Sequence, residues 1–87
     1  MSEKELREVG KITHFFTKIN VAIVELAGAL AVGDQILIKG PSTNVEQKVD
    51  SMQIEHENVE KAVKGQSIGL KVNDRVREND IVYKVIA

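Results

Sequence analysis

Residues 30–41 read LAVGDQILIKGP, and the fold is decided by how Gly33-Asp34 and Gly40-Pro41 punctuate this stretch. Glycine accepts positive φ without a Cβ clash, and aspartate hydrogen-bonds its own turn, so Gly33-Asp34 marks a corner. Gln35-Ile36-Leu37-Ile38-Lys39 is short, rich in β-branched and apolar residues, and stops at Gly40-Pro41. That is a strand bounded by turns.

The same plan returns near the end of the chain. Glu78-Asn79-Asp80 precedes Ile81-Val82-Tyr83, as Val32-Gly33-Asp34 precedes Gln35-Ile36-Leu37. Asparagine is a common substitute for glycine where the left-handed conformation is required. Between the two corners the chain reads as short strands. Val9–Phe16 is the first, with Gly10 a candidate bulge; Lys18-Ile19-Asn20 is a turn. Val21–Leu26 is a second strand, apolar enough to be buried on much of both faces. Gly40–Asn44 reads as a loop, and Val45–Ile54 as one strand broken in parity, which calls for a bulge near Asp50-Ser51. Val59, Ala62 and Val63 fall at helical spacing, but Gly65 ends that option within about a turn. Gln66–Val72 and Ile81–Ile86 are the remaining strands. Ser2-Glu3-Lys4-Glu5 has capping-box spacing, so residues 1–8 are expected as a short helical or frayed segment and residues 9–87 as one domain.

Corners of this kind suit a sheet that curls and closes, which removes the exposed edges a small β protein must otherwise guard. The expected fold is all-β: a small closed antiparallel, Greek-key-like barrel of about six strands. Gly33, Asp34, Gly65, Gly69, Asn79 and Asp80 are its expected structural corners, with Gly69 allowing a neighbouring strand to approach closely.

Composition narrows the function. The chain has 87 residues, enough for one small core, and its 12 basic and 13 acidic side chains leave a net charge of −1. A module that grips the phosphate backbone electrostatically carries a basic excess, which is absent. The lack of cysteine excludes disulfides, thiolate metal sites and thiol catalysis. No apolar run approaches a membrane span, and the N-terminus lacks the apolar core of a secretory signal, so a cytoplasmic location is expected.

Motifs for chemistry are sparse. Glu55-His56-Glu57 sets a histidine between carboxylates, but neighbours on a strand point to opposite faces and further ligands have no source, so no metal is expected. Ser42, Ser51 and Ser67 lack a nucleophile-elbow context, and no phosphate-binding P-loop occurs. The expectation is a non-enzymatic binding module without a cofactor. Phe15 and Phe16 point to opposite faces of one strand, so one of them should be outside, a hint of a contact patch.

Four segments in order carry a resemblance. Residues 30–38 look like the "x-L-x-V-G-D-x-V-x-I" corner and strand of domain 2 of the translational GTPases, the barrel that follows the G domain in elongation factor Tu. Val49–Ile54 resembles that family's "V-x-S-I-x-x" strand. Ala62–Val72 is similar to its "A-x-x-G-x-x-V-G-L-x-L" segment. Arg77–Tyr83 matches "x-x-G-D-x-L" with Asn79 for glycine. The same pattern recurs in a C-terminal barrel of collagenase-like peptidases, and Thr13–Ile19 is closer to that version. The translational resemblance implies a contact with RNA (a tRNA end or rRNA) or with a ribosomal or translation-factor surface. It places Gln53 and His56 where the family has a glutamate and an arginine, and makes Gln53, Glu55, His56 and Glu57, with Phe15 or Phe16 beside them, the candidate contact residues. His56 is a poor stand-in for a permanent cation. Without a G domain the resemblance implies no nucleotide hydrolysis. The collagenase-like resemblance implies instead an accessory protein-interaction barrel for a separately encoded peptidase or RNA-modification enzyme.

Overall fold

The computed structural model describes residues 5–86. Short alternating apolar runs between turn residues produce ten strands among them: β1 (Leu6–Phe16), β2 (Val21–Leu26), β3 (Leu30–Ala31), β4 (Gln35–Gly40), β5 (Thr43–Lys48), β6 (Met52–Ile54), β7 (Glu57–Val59), β8 (Lys61–Ala62), β9 (Ser67–Lys71) and β10 (Ile81–Val85). Eight form one sheet in the order β5-β4-β10-β1-β2-β9-β6-β7, and β3 pairs with β8 as a separate ribbon. Every pairing is antiparallel. Among the described residues no helix is long and apolar enough to cross a membrane.

Alternation puts one face of the large sheet inside. Ala22, Val24 and Leu26 of β2, Ile36 and Ile38 of β4, and Ile68 and Leu70 of β9 are all buried. Burying each valine, leucine or isoleucine among them contributes about 1.5–3 kcal/mol relative to leaving it in water, and together they hold the curled sheet on itself. β1 bends to follow the curl: its register shifts between Glu8 and Gly10 against β10 and between Ile12 and His14 against β2. The first shift is the bulge expected at Gly10.

The closed six-stranded barrel is corrected. The sheet is open, and its two ends are not joined by a ladder. The reason lies in the segment after β5. Thr43, Val45, Gln47 and Val49 all face inward, so β5 keeps strict parity to its end, and the chain then leaves the sheet at Val49–Ser51 before β6 begins. A break therefore replaces the bulge expected near Asp50-Ser51. Gln47 spans the seam instead. It is 5% exposed; its Nε2 donates to the carbonyls of Lys48 (3.2 Å) and Lys71 (3.1 Å), and its Oε1 accepts the Asn73 amide at 2.7 Å. A side-chain amide thus substitutes for ladder bonds between β5 and the end of β9.

Three further expectations change. Leu6–Glu8 belong to β1, not to a helical turn; residues 1–4 lie outside the described residues. Gly40–Asn44 is not a loop: Gly40 pairs with Thr43, leaving only Pro41-Ser42 as the turn of the β4–β5 hairpin. Val59, Ala62 and Val63 form no helix; Val59 and Ala62 lie in β7 and β8.

The two corners are as expected, and they are built alike. Gly33 has φ 97° and Asn79 has φ 73°. The Asp34 carboxylate accepts the Ala31 amide (2.9 Å) while the Asp34 amide donates to the Ala31 carbonyl (3.1 Å). Asp80 does the same with Arg77, at 2.8 and 3.2 Å. A third copy stands at Val63–Gln66: Gly65 has φ 93°, Gln66 Oε1 accepts the Val63 amide (2.9 Å), and the Gln66 amide donates to the Val63 carbonyl (3.2 Å). In each case a strand begins at the next residue. The signal for the third corner is Lys64-Gly65-Gln66, where glutamine takes the part of aspartate.

Candidate functional site

The outer face of the sheet carries a groove of about 360 Å³ across β1, β2, β9 and β6. Its floor is Val21 and Ile23 of β2 with Gly69 of β9, and one wall is Phe16 and Ile19 from the end of β1 and the turn after it. Gln53, Glu55 and His56 form the opposite rim, with Ser67 nearby. The apolar outer positions of β2, expected to be buried on both faces, are half-buried floor residues of this groove.

Gly69 pairs with Ile23 on one side and Gln53 on the other, so its missing side chain leaves a notch in an otherwise continuous row. The fold does not demand it. A Cβ there would meet Val21 Cγ1 at 3.4 Å, Gln53 O at 3.9 Å and Ile23 Cδ1 at 4.0 Å, which are ordinary contacts. Close strand approach, the expected reason for Gly69, is therefore corrected. Glycine inside a strand weakens it, so the notch costs stability without a steric cause in the fold.

The rim also has a conformational cost. β6 and β7 are joined by Glu55-His56, since Ile54 pairs with Glu57. Glu55 has φ 50° and His56 φ 67°. Two central residues at positive φ are the mark of a type I′ turn, which favours Asn-Gly. Glutamate and histidine in that conformation are strained by roughly 1–2 kcal/mol each. Replacing Glu55 by Asn and His56 by Gly together should raise stability by about 1–2 kcal/mol in urea unfolding. Lower stability in the double variant would show that these side chains hold the hairpin through contacts of their own.

Of the expected contact residues, the structure brings Gln53, Glu55, His56 and Phe16 to one groove and leaves Phe15 and Glu57 out of its lining. Phe16 is the outward ring, 44% exposed; Phe15 packs against the core. His14 lies edge-on to Phe16, with ring centroids 4.4 Å apart, and bonds Glu78 at 3.1 Å, which steadies the wall. Sequence reasoning missed Ile19, Val21, Ile23 and Gly69 as groove residues. The available signal was β2 itself, apolar on both parities.

The residue types of an acyl-transfer triad, Ser67, His56 and Glu55, all border the groove. No hydrogen bond joins any of them to another among the described residues, and such a triad works through an oriented nucleophile–base bond. No group of three or more potential metal ligands occurs among the described residues. No lysine or arginine lines the groove; Arg75 and Arg77 border a separate one with Ser42 and Asn44.

The fold is shared with a solved structure. The C-terminal domain of a Geobacillus thermoleovorans "putative U32 peptidase" superposes with a TM-score of 0.85 at 18% identity, covering 91% of this chain and 92% of that one. The chain has the fold of that domain. In sequence, 77 residues are 49% identical to an uncharacterized protease of Methanocaldococcus jannaschii, covering 87% of this chain and 19% of that protein. A collagenase of Porphyromonas gingivalis is 44% identical over 78 residues, 87% of this chain and 22% of that protein. The chain thus spans about a fifth of the length of the curated relatives it matches. No protein-family model matches it. Of the two resemblances read from the sequence, these relatives support the collagenase-like one. The translational GTPase reading, and with it the tRNA-end role of Gln53 and His56, is not supported. The groove lining, with Glu55 and without a lysine or arginine, is a poor surface for a phosphate backbone.

Proposed function

We propose that this chain is a non-catalytic accessory module of a peptidase-type protein or assembly, and that its groove holds polypeptide. The observation that carries this reading is the groove itself: an apolar floor and aromatic wall with Glu55 on the rim and no lysine or arginine in the lining, on a fold whose sequence relatives bear protease and collagenase names. An accessory role fits a groove whose Ser67, His56 and Glu55 are not linked to one another, because positioning a chain needs shape and a few polar groups rather than a reactive centre.

The test is retention of the purified chain on immobilised gelatin and on immobilised casein, beside an RNA column at the same ionic strength. Saturable retention on a polypeptide, with no cleavage products on prolonged incubation, is the expected result. Hydrolysis by the chain alone, or stronger retention on RNA than on either polypeptide, would overturn the reading.

A further inference from the structure

We infer that the groove over Gly69 receives one large aliphatic or aromatic side chain of an extended polypeptide, with a lysine or arginine of the same segment lying against Glu55. This rests on the polypeptide reading above and names what that reading leaves open, the chemistry of the bound segment.

Four local departures from what the fold needs converge on the one groove. Gly69 is a glycine inside a strand where a Cβ would fit. Val21 and Ile23 put apolar side chains on the outer face of β2. Phe16 and Ile19 stand 44% and 56% exposed at its wall. Glu55 and His56 hold a strained turn at its rim. Each one alone is an ordinary surface irregularity; local rules broken together at one place mark a site that function has shaped.

The lining then selects the occupant. The groove, about 360 Å³ with an apolar floor and an aromatic wall, has room for a bulky apolar side chain of an extended segment. Gln53 spends its Nε2 on Asn58 (3.2 Å) and keeps Oε1 free to accept a main-chain N–H. Glu55 at the rim, and Glu57 just beyond it, carry no ion pair among the described residues. With no lysine or arginine in the lining, the field at the rim favours a cation. A nucleic acid would bring its phosphates to the same acidic rim, so it is disfavoured by the sign of the charge.

The experiment uses the full chain and fluorescein-labelled heptapeptides of serine and glycine carrying one leucine followed by one lysine, read by polarisation. Binding should weaken roughly ten- to a hundredfold when the peptide leucine becomes alanine, as one buried apolar side chain is lost. It should weaken several-fold when the peptide lysine becomes glutamate. Gly69→Val, which fills the notch, should abolish binding while leaving the thermal midpoint unchanged or raised. Phe16→Ser, a surface change on the wall, should weaken binding at least tenfold and serves where Gly69→Val does not fold. Equal binding of leucine and alanine peptides, or undiminished binding by both variants, would overturn the inference. So would tighter binding of a uridine hexanucleotide that Gly69→Val blocks. Gelatin retention that survives Gly69→Val refutes the groove as the binding surface and leaves only the polypeptide-binding accessory role standing; loss of all polypeptide retention by the unmodified chain refutes both.

Discussion

Gln47→Leu should cost the domain roughly 2–4 kcal/mol, although leucine fills a similar volume. The amide makes three bonds at the seam, to the carbonyls of Lys48 and Lys71 and from the Asn73 amide. Each buried polar group left without a partner costs about 1–3 kcal/mol, and Lys71 and Asn73 recover part of that because their residues are exposed. In urea unfolding the midpoint should fall with the slope unchanged. In hydrogen exchange the Asn73 amide should lose protection well before amides of the β4–β10 ladder. The seam is where an open sheet is held as if closed, so the loss should begin there. A variant within about 0.5 kcal/mol of the parent would mean that core packing alone keeps the two ends together.

Gly40→Ala is expected to cost roughly 1–3 kcal/mol, for a reason that lies at a distant corner. A Cβ on Gly40 would overlap Asp80 Oδ1 and stand 2.7 Å from its Cγ. Asp80 is 1% exposed and is held in place by the Arg77 amide at 2.8 Å, so it has little room to withdraw. Asp80→Ala alone should also destabilise, by about 1–3 kcal/mol, through the uncapped Arg77 amide. The double variant should lose less than the sum, with a coupling of about 1–2 kcal/mol in a double-mutant cycle. For a domain of this size that coupling is read as a shift of roughly 4–8 °C in midpoint per kcal/mol. Strict additivity would show that Gly40 serves the Pro41-Ser42 turn rather than the buried carboxylate.

Strands and corners were legible because their causes are local. Positive φ at Gly33, Gly65 and Asn79 follows from the Cβ clash that other residues suffer there, and the carboxylate after two of these residues announces the i−3 bond. At the third corner Gly65 is legible, but Gln66's part is not, because glutamine makes the bond through a longer amide. The site was half legible. Gln53, Glu55 and His56 stand out as a polar turn and one of Phe15 and Phe16 as an outward aromatic; the structure selects Phe16, and the four do meet. Ile19, Val21 and Ile23 look like core residues, because an apolar residue on a strand reads the same whether it lines a groove or fills a centre.

By itself, then, the order of residues determined an all-β chain and the positions of its glycine and asparagine corners, since period-two alternation and backbone sterics act over a few neighbours. Tertiary structure alone decided that the sheet stays open with Gln47 bridging its seam, and that Phe16, His56 and Gly69 share one surface. Those meetings depend on which strands pair and in what register across long stretches of chain. No local preference carries that information, because register is chosen by the burial of the whole inner face at once.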